Sequence, residues 1–138
     1  MEDRVTDSFA RQGLMRTLGA TLEHVGDGVA RITATVSEAT SQHHGAGHAG
    51  LTFALADTAA GYAALTVMEP GFEVVTSEFR ISLLAPARGR LVAVGRVIRP
   101  GRRLIAVAAD VHGEDGAHVA TALGTMVPVK PAPASPTD

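Results

Sequence analysis

Residues 51–67 read LTFALADTAAGYAALTV, and Asp57 is the one charged position among them. A run apolar on nearly every side predicts a helix that is wrapped by other structure rather than laid on a surface. Upstream, Phe9, Leu14, Met15 and Leu18 recur at roughly helical spacing behind Thr6-Asp7-Ser8, with Gly19 as a stop. That pattern predicts a short amphipathic helix over 8–18. Extended runs follow at 20–25 and 29–36, split by Gly26-Asp27-Gly28, a strong hairpin signal. Glu69-Pro70-Gly71 ends the long helix, because proline cannot continue it. The remaining apolar runs predict strands over 73–84, 90–99, 102–112 and 117–129. Turn elements separate them at Pro86-Ala87-Arg88-Gly89, Pro100-Gly101 and Gly113-Glu114-Asp115-Gly116. One hairpin, one buried helix and a four-strand meander predict an α+β fold, a curved antiparallel sheet wrapped around one long central helix. Residues 1–130 form the expected domain, and the Pro/Ala-rich stretch 131–138 is expected to be disordered.

Composition narrows the function. A chain of 138 residues with 46% hydrophobic and 19% charged positions suits a single globular domain. The absence of cysteine excludes disulfides, thiolate metal sites and a cysteine nucleophile. No secretory pattern opens the sequence, so a cytoplasmic location is expected. A net charge of −2 argues against nucleic-acid binding, although six arginines fall between Arg88 and Arg103. They suit either solvated turns or a phosphate-bearing ligand. The apolar helix is short for a membrane span and carries an acid near its centre, so no membrane partner is expected.

Candidate chemistry centres on that acid, because a carboxylate in apolar packing is costly unless something specific satisfies or uses it. Viewed down the helix, Gly50, Phe53, Ala54, Asp57, Ala60, Gly61 and Ala64 share a sector, most of them small. A ligand or a neighbouring backbone has room to approach there. Gly45-Ala46-Gly47-His48-Ala49-Gly50 matches the dinucleotide spacing G-x-G-x-x-G, but no strand leads directly into it and hairpins follow. His43, His44 and His48 with Asp57 make a weak metal set, so no metal and no cofactor is expected. Six serines occur without a G-x-S-x-G elbow. Local bonding of Asp57 to Thr52 or Thr58 is its bland alternative.

His48-Ala49-Gly50-Leu51-Thr52-Phe53-Ala54-Leu55-Ala56-Asp57-Thr58-Ala59-Ala60-Gly61 resembles the signature of PaaI-type hotdog-fold acyl-CoA thioesterases. That family shows H-G-G, a short apolar stretch, then L-x-D. Val75-Thr76-Ser77-Glu78-Phe79-Arg80-Ile81, Leu84-Ala85-Pro86-Ala87, Gly101-Arg102 and the closing 119–125 stretch extend the likeness over roughly residues 12–129. The resemblance implies a hotdog fold and hydrolysis of an acyl-CoA thioester to a free acid and CoA. It further implies a homodimer or homotetramer with active sites at the subunit interface. It places the catalytic carboxylate at Asp57, as general base or nucleophile, and the carbonyl-polarising backbone N–H at Ala49. Gln42 and Thr76 become positioning groups. His48 and Gly50 become substrate-binding positions, with Gly50 shaping the helix entry, and Arg102 or Arg103 would hold CoA phosphates. One departure is Ala49, where the family has the first glycine of H-G-G. By simple strand alternation Thr76 falls with Glu78 and Arg80, away from Phe79 and Ile81. A noncatalytic acyl-CoA binding module and a hotdog-type hydratase or dehydratase are the alternatives. The acyl group is left open.

Overall fold

The computed structural model describes residues 3–131, so most of the expected tail at 131–138 lies outside the described residues. Six strands form one antiparallel sheet: β1 (Thr21–Gly26), β2 (Val29–Thr35), β3 (Glu73–Leu83), β4 (Arg90–Arg99), β5 (Ile105–His112) and β6 (His118–Val129). Their order is β1-β2-β4-β5-β6-β3. The helix α3 (Ala49–Leu65) lies against the sheet, and two short helices, α1 (Asp3–Ala10) and α2 (Gly13–Thr17), precede β1. The expected curved sheet around a central helix is present. No helix among the described residues is long and apolar enough to cross a membrane.

The core is built from alternate positions of the inner strands, such as Ile32, Leu91, Ala93, Val107, Ala109 and Val111. They meet Leu51, Leu55, Ala59, Ala60, Tyr62 and Ala63 of the helix. Gly95 on β4 fixes the close approach of helix to sheet. A Cβ there would lie 2.3–2.4 Å from the Ala59 and Ala60 backbone. Small residues on α3 therefore serve packing as much as access.

Three expectations need correction. The helix expected over 8–18 is two helices, because Gln12 adopts an extended backbone (φ −81°, ψ 105°) between them. The break lets Val5 and Met15 both reach the core, while Leu14 turns outward. Thr6-Asp7-Ser8 consequently lies inside α1 rather than capping it. The long helix begins two residues earlier than expected and ends at Leu65. There the Arg4 guanidinium binds the carbonyls of Leu65 (2.6 Å) and Met68 (2.7 Å). Finally, the last four strands are not a simple meander: β3 crosses to the far edge and pairs with β6, leaving β4 to pair with β2. The helix carries the chain across the sheet before β3 begins, so sequence neighbours are separated in space.

Candidate active site

The start of α3 is shaped by three consecutive residues. His48 is the N-cap, and its Nδ1 accepts the Gly50 N–H at 2.7 Å. A Cβ on Gly50 would stand 2.9 Å from that nitrogen, so the folded-over imidazole requires glycine there. The His48 carbonyl takes the Leu51 N–H. Between these bonds, the Ala49 N–H has no acceptor among the described residues. First-turn helix amides are unsatisfied and carry partial positive charge, which suits an oxygen that gains negative charge. Ala49 is exposed, so its methyl, where the family has glycine, meets no crowding within the chain.

The loop before it folds on itself. Gln42 donates its N–H to the Ala46 carbonyl (2.8 Å), and its Oε1 accepts the His44 N–H. This orients the Gln42 side chain and leaves its amide N–H groups for a ligand. Gln42, His48, Ala49 and Thr52 line one cavity of about 370 Å³, together with Leu83, Pro86, Ala87 and Val119. His43 and His44 lie ring to ring at 4.0 Å. Among the described residues no cluster of three or more His, Asp or Glu side chains is placed to hold a metal ion.

Asp57 sits two turns further along α3, half-buried. Its Oδ1 accepts the Thr76 hydroxyl at 2.8 Å. Burial pushes the carboxyl above the ordinary carboxylate range, and the Thr76 bond opposes that rise. The Thr52 and Thr58 partnerships weighed from sequence are not formed; Thr76 takes that place. Simple alternation along β3 misplaces Thr76 because the strand carries a β-bulge. Thr76 pairs with Met126 and Glu78 with Thr125, so Ser77 is an extra residue. The bulge turns Thr76 onto the helix side, where Phe79 and Ile81 also pack.

A cavity of about 180 Å³ surrounds this pair, lined by Gln12, Asp57, Thr58, Gly61, Tyr62, Val74 and Thr76. Gln12 and Tyr62 escaped the sequence reading. Tyr62 is the single tyrosine and follows Asp57 by five residues, a usable signal. Gln12 had none, since only the helix break brings it here.

The site residues expected from sequence therefore fall into separate groups. Gln42, His48, Ala49 and Gly50 gather at the start of α3, and Asp57 with Thr76 near its middle. Phe53 lies between them on the helix, partly exposed and edge-on to Phe79 at 5.4 Å. Arg102 lies beyond the far end of α3, in an open groove of about 560 Å³ with Val67, Met68, Glu69, Phe72 and Pro100. Arg103, its neighbour, does not line that groove.

Residues 44–120 match the sequence profile of the thioesterase superfamily, a span that contains Asp57, Ala49 and Thr76. The chain belongs to the thioesterase superfamily. It is 37% identical over 112 residues to a Deinococcus radiodurans protein that bears an esterase name, covering 79% of this chain and 74% of that one. A thioesterase family protein from Silicibacter pomeroyi superposes with a TM-score of 0.89 at 35% identity, over 94% of this chain and 98% of that one. The E. coli PaaI protein from the phenylacetic acid degradation operon shares the fold, with a TM-score of 0.85 at 24% identity over 92% and 91% of the two chains. The hotdog architecture and the thioesterase kinship expected from the His48–Gly61 stretch are thus borne out, and the superfamily makes this chain a hydrolase of the thioester type.

Proposed function

We propose that this thioesterase hydrolyses acyl-CoA to a free carboxylic acid and CoA, in a homodimer or a pair of dimers whose active sites lie at the subunit interface. One observation carries the reading. A half-buried, hydrogen-bonded acid and an unclaimed helix amide occupy one helix, eight residues apart. Eight residues of α-helix span about 12 Å. A carbonyl oxygen must lie about 3 Å from its donor, and the reacting atoms about 3–3.5 Å apart. Asp57 and Ala49 of one chain therefore serve different carbonyls, and a second copy related by a twofold axis supplies the missing half of each site. β3 suits that contact, because it is an edge strand of 11 residues with exposed Val75 and Leu83.

Within such a site Asp57 is the general base. Its Oδ1 is held by Thr76, leaving Oδ2 to take a proton from water. The water oxygen bonds to the carbonyl carbon as the carbonyl electron pair moves onto oxygen. The Ala49 N–H of the other subunit stabilises that charge, and Gln42 beside it donates to the bound thioester. The intermediate collapses with loss of the C–S bond, and the proton passes from Asp57 to the departing thiolate. A carboxyl raised above its usual range is a better base near neutral pH than an ordinary one. Arg102, which lines a groove with Phe72 and Met68, is the candidate to hold CoA phosphates, with its neighbour Arg103 as the second candidate.

A thiol-trapping assay with an acyl-CoA panel tests the reaction, and mixing tests the shared site. Asp57→Ala and Ala49→Pro subunits are each expected to be inactive alone. Unfolded and refolded together, they should regain activity through hybrid dimers carrying one intact site. Stabilisation by acyl-CoA without CoA release would instead identify a binding module.

A further inference from the structure

We propose that Gln12 is a specificity-determining residue: with Tyr62 it forms the end wall of the acyl pocket beside Asp57 and sets the length of acyl group accepted. The inference rests on the acyl-CoA hydrolysis proposed above and concerns the part of the substrate that reading leaves open.

Asp57 and Thr76 share the 180 Å³ cavity with Gln12 and Tyr62, so it can be read as having a reactive end and a far end. Asp57 and Thr76 form the first. Tyr62, five residues further along α3 and so about 7.5 Å along its axis, belongs to the second. Gly61 and Val74 are further lining residues, one from α3 and one from β3. A Cβ on Gly61 would only just touch Val74 Cγ1, at 4.0 Å, so the glycine leaves about a methyl's width between α3 and β3. An acyl group whose carbonyl lies beside Asp57 can extend along it.

The far end is braced. Tyr62 is 2% exposed, and its hydroxyl meets Ser8 Oγ at 2.9 Å and accepts Gln12 Nε2 at 2.7 Å. Its ring packs tilted against Phe9. Gln12 reaches it because the backbone is extended between α1 and α2. Both flanks of that break are anchored, by buried Val5 and the Arg4 contacts with the end of α3 on one side and by buried Met15 on the other. A cavity of about 150 Å³ holds one benzene, so the present volume takes a compact acyl group and a long chain has to displace Gln12.

The test measures kcat/KM for acetyl-, butyryl-, hexanoyl-, octanoyl- and decanoyl-CoA with the full-length protein and its Gln12→Ala, Gln12→Asn and Gln12→Leu variants. The unaltered protein should fall off beyond a limiting length. Gln12→Ala should move that limit to longer chains, with about a fourfold relative gain for each methylene newly housed. Gln12→Asn should give a smaller shift in the same direction, which keeps the test available if the alanine variant fails to fold. Gln12→Leu, similar in bulk, should leave the limit in place. A uniform loss across all substrates, tracking a lower Tm, would assign Gln12 a purely structural role and overturn the proposal. A leucine variant that shifts the limit as alanine does would overturn it equally, by showing that volume is not what matters. No turnover of any acyl-CoA by the unaltered protein would refute the hydrolysis reading itself, and the end wall with it.

Discussion

Replacing Ala49 with proline isolates the proposed oxyanion donor, because the local structure already accepts proline there. Ala49 is the first residue of α3. Proline is favoured at that position, since its missing N–H would bond to nothing in the helix and its fixed φ suits the first turn. The residue before a proline must be extended, and His48 is (φ −63°, ψ 143°). The lost N–H has no acceptor among the described residues, so no intramolecular hydrogen bond is broken. Ala49→Pro should therefore fold with an unchanged denaturant midpoint. Loss of one oxyanion donor lowers kcat by about 10²–10³, or about 2.7–4 kcal/mol of transition-state stabilisation. Steady-state thiol release measures the loss. Ala49→Gly, which retains the N–H, controls for the methyl group and should stay within a few-fold of the unaltered protein. A proline variant that folds and keeps kcat within about threefold, short of even the low end of that range, would refute the assignment of this amide to the carbonyl.

Asp57→Asn should reduce kcat by about 10²–10⁴, the usual worth of a general base, and should also raise Tm at neutral pH. The sign follows from linkage. Asp57 titrates higher folded than unfolded, so its favourable contribution is present below the unfolded pKa and is lost as pH rises through the folded one. At neutral pH the folded protein carries a partly desolvated charge that asparagine avoids, and the Tm gain should shrink towards acid pH. Thr76→Val removes the bond that holds the Asp57 carboxyl down. Its acidic limb of kcat against pH should move to higher pH, while Thr76→Ser should restore the original limb. Gly50→Ala places a methyl 2.9 Å from His48 Nδ1 and should forfeit the cap, about 1 kcal/mol by denaturant unfolding. Single turnover of Asp57 enzyme in ¹⁸O-labelled water should place label in the acid product and none in the protein. Label in Asp57 would make it a nucleophile.

The sequence made Asp57 legible because a lone charge inside apolar helical periodicity is a local anomaly, and local anomalies survive without coordinates. Turns at Gly26-Asp27-Gly28 and Pro100-Gly101 were legible for the same reason. What escaped was set by pairing across the sheet. The helix-facing turn of Thr76 depends on which residues of β6 it opposes, and nothing within 73–84 announces the bulge at Ser77. The position of β3 beside β6, rather than β4, is likewise decided by the path of α3 over the sheet. Gln12 depends on a break between two helices that apolar spacing alone reads as one. These nonlocal facts share a consequence. The acid is supplied by the helix, but its hydrogen-bond partner comes from the bulged edge strand, and Gln12, which lines the same cavity, from the link between α1 and α2. Reactivity at Asp57 can thus be held fixed by α3 and Thr76 while substitutions at Gln12 reshape what fits beside it. On the proposed roles, chemistry and selectivity draw on different elements: α3 and β3 for the first, and the link between α1 and α2 for the second.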